Sequence, residues 1–230
     1  MTHDDRLSGV LAKARVIFFD FDGPVCDVFA GLPAPEVAKQ LTALLAAQDE
    51  AAGAKAAETD DPIEVMRIAH EACDEIGRTV EQALTAAEVE AVAVAGPPTP
   101  GAVEALQAVR ASGRAVAVVS NNSAECVQRF LEEHGLGEFV AKVIGRPSGQ
   151  PHLMKPNPFP LIGAAEQMQM DVTHCALIGD SLTDIQAAHA AGSMVIGYAN
   201  KPHKADLFAD AGADAVTDDM QAIADALTTA

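Results

Sequence analysis

The chain has no tryptophan and a single tyrosine, and its 15 lysines and arginines stand against 33 aspartates and glutamates. The scarcity of aromatics, beside abundant alanine, reads as compositional bias rather than function. The charge is more telling. A formal net charge of −18 argues against a nucleic-acid partner, because such a polyanion is held by neutralising its phosphates. A small anionic ligand stays possible, since a metal ion and one or two cations reverse the field locally. No apolar run is long enough to cross a bilayer. The first residues include Asp4 and Asp5 and lack the basic-then-apolar order of a secretory signal. The expectation is a cytoplasmic protein without a membrane partner. The four cysteines, Cys26, Cys73, Cys126 and Cys175, form no CxxC pair and lie far apart, so reduced and mostly buried thiols are expected rather than disulfides or a zinc site.

What is present is a globular composition, 230 residues and 49% hydrophobic, enough for one large domain or two modest ones. From about Thr99 onward, helix and strand signals alternate. Thr99-Pro100-Gly101 opens a helical stretch with Val103, Leu106 and Val109 on one side, closed by Ser112-Gly113. Ala115–Val119 is a continuous apolar run, as in a strand buried on both faces. Further helices are predicted over 123–134, 158–170 and 183–191, and strands over 140–144, 175–178, 194–197 and near 213–216. A last helix starts at about Asp218. This alternation predicts an α/β fold with a parallel sheet covered on both faces.

The segment before Gly96 differs. Val37, Leu41, Leu44 and Leu45, then Ile63, Met66, Cys73 and Ile76, then Val80 and Leu84 recur at helical spacing, punctuated by Pro33, Pro35, Gly53, Pro62 and Gly77. An all-helical insertion of three or four helices is expected over 24–96, interrupting an α/β domain made of 1–23 and 97–230. Within 24–96, 14 acidic and 4 basic residues give −10, more than half of the total charge, and read as solvated helix faces.

In an open parallel sheet, ligands bind beyond the carboxyl ends of the strands. Three predicted strands end in polar residues there. Val16–Phe19 runs into Asp20-Phe21-Asp22-Gly23, the second strand into Ser120-Asn121-Asn122, and the fourth into Gly179-Asp180-Ser181-Leu182-Thr183-Asp184. Lys155 lies between them in Met154-Lys155-Pro156-Asn157-Pro158. Each has an ordinary reading alone: rim carboxylates, a helix cap, an acid in a first helical turn, an exposed loop lysine. Together they would gather carboxylates, a lysine and a helix N-terminus at one end of one sheet. Asp20 and Asp180 offer the hard oxygen ligands that Mg²⁺ takes. The Ser120 hydroxyl and the N–H groups of the Asn121-Asn122 turn suit phosphate oxygens. A carboxylate nucleophile with a second acid to move the proton is a design for covalent phosphoryl transfer.

Four short motifs in order, Asp20-x-Asp22-Gly23, Ser120-Asn121, Lys155-Pro156 and Gly179-Asp180-Ser181-x-x-Asp184, make the chain resemble the haloacid-dehalogenase-like hydrolase superfamily over essentially its whole length. The resemblance implies a Rossmann-like core with a helical cap inserted just after the first motif. It implies that Asp20 forms an aspartyl-phosphate and that Asp22 is the general acid and base while lending its carbonyl to Mg²⁺. Ser120, Asn121 and Lys155 would hold the phosphoryl group, Asp180 would ligate the metal, and Asp184 would support it directly or from behind. Pro24 departs from the pattern, which usually has Thr or Ser there. An aspartate at position 22 fits a phosphatase acting on a small phosphorylated metabolite. A sugar-phosphate mutase on the same core, or a non-catalytic regulatory module, are the alternatives. Arg67, His70 and Arg78 are the candidates for contacting substrate, against an ordinary reading as exposed helix residues paired with acids. Nothing in the sequence indicates the oligomeric state.

Overall fold

Strand β1 (Val16–Phe19) is four apolar residues, all buried, and its place in the sheet explains that composition. The computed structural model describes residues 3–228. The other strands are β2 (Ala115–Val119), β3 (Lys142–Ile144), β4 (Cys175–Gly179), β5 (Met194–Tyr198) and β6 (Ala215–Thr217). They form one six-stranded sheet in the order β3-β2-β1-β4-β5-β6, and every pair is parallel. β1 sits in the interior of that order, so its carboxyl end opens where β2 and β4 also end.

Alternate residues of β1 face opposite sides, as the pleat requires. Ile17 and Phe19 pack with Leu11 of α1 (His3–Lys13), Leu106 of α6 (Ala102–Ala111), Phe130 of α7 (Ala124–Glu133) and Ile223 of α11 (Gln221–Thr228). Val16 and Phe18 pack with Leu161 of α8 (Phe159–Gln167), Ile185 of α9 (Leu182–Ala191) and Phe208 of α10 (Lys204–Asp210). Each such phenylalanine contributes about 2–3 kcal/mol by leaving water. The result is a Rossmann-like α/β fold with helices on both faces. α1 and α10 were not legible in the sequence; the other helices and strands of the sheet and its two faces match their expected spans to within a few residues.

Between β1 and α6 the chain contributes no strand to the sheet. It forms α2 (Ala34–Ala46), α3 (Glu50–Ala56), α4 (Pro62–Ala72) and α5 (Asp74–Val92). Asp49 and Asp61 start α3 and α4 by accepting hydrogen bonds from Ala52 N and Ile63 N, and Pro62 fills the first helical position of α4, where no N–H is needed. Val37, Leu41, Leu45, Met66, Val80 and Leu84 form a separate apolar cluster, joined by Met154 from the loop before α8. At its far end α5 changes allegiance: Ala91 and Val92 belong to the cluster under the sheet. Three of the cysteines are buried and Cys73 is exposed, all four as free thiols. Among the described residues no helix is long and apolar enough to cross a membrane.

Candidate active site

Beyond Phe19 the ladder continues one more step, with Asp20 N–H donating to Ile178 O at 2.8 Å. This sets the Asp20 carboxylate at the sheet's rim. Its Oδ1 accepts from Phe21 N–H at 2.7 Å and lies 2.8 Å from Lys155 Nζ. The same ammonium is 2.6 Å from Asp184 Oδ1 and donates to Val119 O at 2.9 Å. Lys155, though buried, is thus held by β1, β2 and the start of α9 together. Burial works to discharge it, but the charges of Asp184 and Asp20 prevail and hold its ammonium above the ordinary lysine range. The converse holds for Asp20: burial first, then the Asp184 charge, push its carboxyl up to about 7 against the pull of Lys155.

Asp184 reaches this point through a capping box. The Ser181 side chain accepts from Asp184 N–H, while Asp184 Oδ2 accepts from Ser181 N–H at 3.1 Å and Oγ–H at 2.6 Å. Its buried Oδ1 has the Lys155 ammonium close by but no well-aligned hydrogen bond. Asp20, Asp180 and Asp184 each bring a carboxylate oxygen within 4.8 Å of the others. Hard oxygens at that spacing, one of them buried without an aligned donor, fit the donor set that Mg²⁺ prefers. Asp22 stands outside this set. Its Oδ1 accepts from Val28 N–H at 3.0 Å, and burial pushes its carboxyl up to about 6.

Gly23 makes the approach of these acids possible. It has φ of +100°, and a Cβ there would lie 2.6 Å from Asp180 Cγ. The turn is tied from afar by Thr99, whose hydroxyl donates to Gly23 O at 2.7 Å and whose N–H donates to Val25 O. A hydroxyl thus serves this turn although position 24 is proline. On the β2 side, Ser120 Oγ–H donates to Asn122 Oδ1 at 3.1 Å. The Asn121 side chain is spent on Lys155, donating to its O at 3.1 Å and accepting from its N–H at 2.9 Å. Of these groups Asp20, Asp22, Ser120, Asn121, Lys155 and Asp180 line one cavity of about 650 Å³, with Thr59, Asp60, Ile63 and Arg67 from the inserted segment, while Asp184 stands behind it against Lys155.

Residues 14–192 match the family model described as haloacid dehalogenase-like hydrolase. The chain belongs to that family. A phosphoglycolate phosphatase of Neisseria meningitidis serogroup A is 26% identical over 83% of each chain. One from Photobacterium profundum is 38% identical over 97 residues, only 42% of each chain. The crystal structure of a predicted phosphoglycolate phosphatase from Haemophilus somnus superposes over 92% of this chain and 96% of its own, with a TM-score of 0.63 at 22% identity, which speaks for the fold.

In this haloacid dehalogenase-like hydrolase the three cations singled out from the inserted segment go to different places. Arg67 lines the acid cavity, about a third exposed, with Glu64 at 3.4 Å. The His70 side chain is only 6% exposed, 3.2 Å from Glu81 Oε2, and lines a second cavity of about 820 Å³ that shares Arg67 with the first. Arg78 lines a third cavity with Glu81, Thr85 and Arg146, away from the acid cluster. Sequence reasoning missed Lys204, whose Nζ donates to Asp180 O at 2.6 Å and Oδ2 at 2.8 Å, and Asn200, which donates to the same Oδ2 at 2.9 Å. Their one available signal was position, in the segment that follows β5, the strand next to β4.

Proposed function

We propose that this chain is a Mg²⁺-dependent phosphatase of a small-molecule phosphate monoester, acting through an aspartyl-phosphate on Asp20. The observation that carries the reading is the convergence of Asp20, Lys155 and Asp180 with the Ser120–Asn121 turn in one cavity, with Asp184 behind them against Lys155. A carboxylate between an ammonium and an N–H is oriented for attack while its charge is offset. Asp20 Oδ attacks phosphorus and the bond to the ester oxygen breaks; the departing alkoxide takes its proton from Asp22 and leaves as an alcohol. Water then gives a proton to the Asp22 carboxylate and attacks phosphorus, releasing inorganic phosphate and restoring Asp20. A carboxyl that titrates at about 6 can perform both halves near neutrality.

Asp20, Asp180 and Asp184, with the main chain of Asp22, would hold Mg²⁺, which supplies positive charge to the phosphoryl oxygens and relieves the crowding of the acids. Lys155, the Ser120 hydroxyl and the main-chain N–H groups of the Asn121 turn receive the phosphoryl group. Residues 24–96 act as the cap that covers the cavity during turnover and presents Arg67 to the substrate's far end. Phosphoglycolate is the first substrate to try, since it names the relatives' activity.

The test is hydrolysis of an aryl phosphate and of phosphoglycolate with and without chelator. Chelation should abolish turnover and Mg²⁺ restore it, and Asp20→Asn should eliminate both turnover and covalent phosphate labelling. Full activity in excess chelator, or wild-type turnover by Asp20→Asn, would refute the mechanism. Turnover that appears only with an added bisphosphorylated sugar would turn the reading to a mutase.

A further inference from the structure

A second buried charge network lies outside the acid cluster. Glu88 of α5 is fully buried, and the Arg146 side chain, just after β3, is 1% exposed. Arg146 donates through one terminal nitrogen to Glu88 Oε1 at 2.9 Å and through the other to Oε2 at 3.3 Å. Desolvating two ions is costly, and apolar side chains of the same volume would often serve packing as well. Arg146 also donates to Thr85 Oγ1 at 3.1 Å and lies 3.6 Å from Glu81 Oε1, both on α5, and the pair's other bonds all go to one turn. Glu88 Oε1 accepts from Asn122 Nδ2 at 3.2 Å and Oε2 from Ser123 N–H at 3.0 Å. Arg146 donates from its guanidinium to Asn121 O at 3.1 Å and from its backbone N–H to Asn122 O at 2.8 Å. Gly145 allows this approach, because a Cβ there would collide with Ala124 N. Asn121, Asn122 and Ser123 are therefore each bonded to the pair, and Asn122 passes the restraint on to the Ser120 hydroxyl.

We propose that Glu88 and Arg146 are positioning residues for the phosphate-binding turn, fixing the Ser120 hydroxyl and the N–H groups of Asn121 and Asn122 where the phosphoryl oxygens arrive; this rests on the phosphatase reading above. Neither residue touches substrate. Glu88 belongs to an inserted helix, so that segment builds part of the sheet's own phosphate site from behind. A turn held on every residue spends no reorganisation when charge develops on the phosphoryl group.

Two variants test it. Glu88→Gln keeps the shape and one acceptor oxygen, and Glu88→Leu with Arg146→Met removes both ions of the pair together, leaving Glu81 its bonds to His70 and Gly149 N–H. Hydrogen exchange of residues 120–123 in the Mg²⁺-free protein reads the turn without reference to activity. It should quicken by about tenfold or more in both variants, with β5 and β6 unaffected. The inhibition constant of inorganic phosphate should rise and kcat on an aryl phosphate fall, about tenfold each, while Mg²⁺ affinity by calorimetry stays at the wild-type value. A purely structural pair would lower the melting temperature but leave the folded protein's phosphate affinity and kcat unchanged; that result, or unchanged exchange in the turn, overturns the positioning role alone. A wild-type protein without phosphatase activity overturns the reading and the role together.

Discussion

At the scale of single residues, Asp22 carries a consequence for stability whose sign follows from its titration. Its carboxyl rises from 3.8 to about 6 on folding, so between those values the folded state holds the proton more tightly than the unfolded state. Stability from this group is complete below about 4 and is lost as pH rises through about 6. Asn at this position has no charge to desolvate and keeps an acceptor for Val28 N–H. Metal-free Asp22→Asn should therefore match wild type in thermal melts near pH 4 and exceed it at pH 7 by about 2 kcal/mol. A difference independent of pH would remove burial of this carboxylate as its cause. The acids at strand ends were legible in the sequence because a charged residue directly after an apolar run is conspicuous. Glu88, Arg146 and Lys204 were not. Glu81, Glu88 and Glu90 share one helix, and only the packing of α5 decides that the first two are buried and that Glu88 meets the turn before α7.

At the scale of elements, the turn from β1 into the inserted helices is shaped by what Gly23 lacks. In Gly23→Ala the new methyl would meet the Asp180 carboxylate, on a backbone that side chains rarely adopt. Asp180 would be displaced, and Mg²⁺ affinity measured by calorimetry without substrate should fall about tenfold or more, with a stability loss of about 1–2 kcal/mol. Wild-type Mg²⁺ affinity would show that Asp180 has room to yield. Legibility of the elements followed length and local pattern. The apolar runs of β1, β2 and β4 announced themselves, and so did the long helices of the insertion. α1 buries Leu7, Val10 and Leu11, a stripe too short to stand out beside its polar start. α10 is seven residues with one buried side chain, Phe208, so its helix depends on the sheet beneath rather than on its own periodicity. β3 begins at Lys142 because Gly137–Phe139 forms a short 3₁₀ turn just before it.

At the scale of the whole molecule, the inserted helices and the sheet meet at the acid cavity, and Arg67 is their cation there. Arg67→Ala should lower kcat/KM for the natural substrate by about tenfold, or roughly 1.4 kcal/mol, while leaving aryl phosphate turnover nearly unchanged. Arg78→Ala, in a different cavity, should change neither. Equal losses on both substrates would assign Arg67 to the shape of the cavity instead. The interior place of β1 has another consequence, in the making of the protein. Val16 pairs with Ala115 and with Cys175, partners 99 and 159 positions later in the chain. At typical rates of synthesis the ribosome needs on the order of ten seconds to travel from β1 to β4. Until β2 is made Val16–Phe19 has no partner strand, and until β4 is made one of its edges stays open, while the helices after it draw mainly on nearby partners and can assemble at once. A nascent chain that stops short of Gly179 already carries Asp20 and the whole inserted segment, yet lacks Asp180 and Asp184, which complete the acid cluster. Catalytic competence is among the last things this polypeptide acquires.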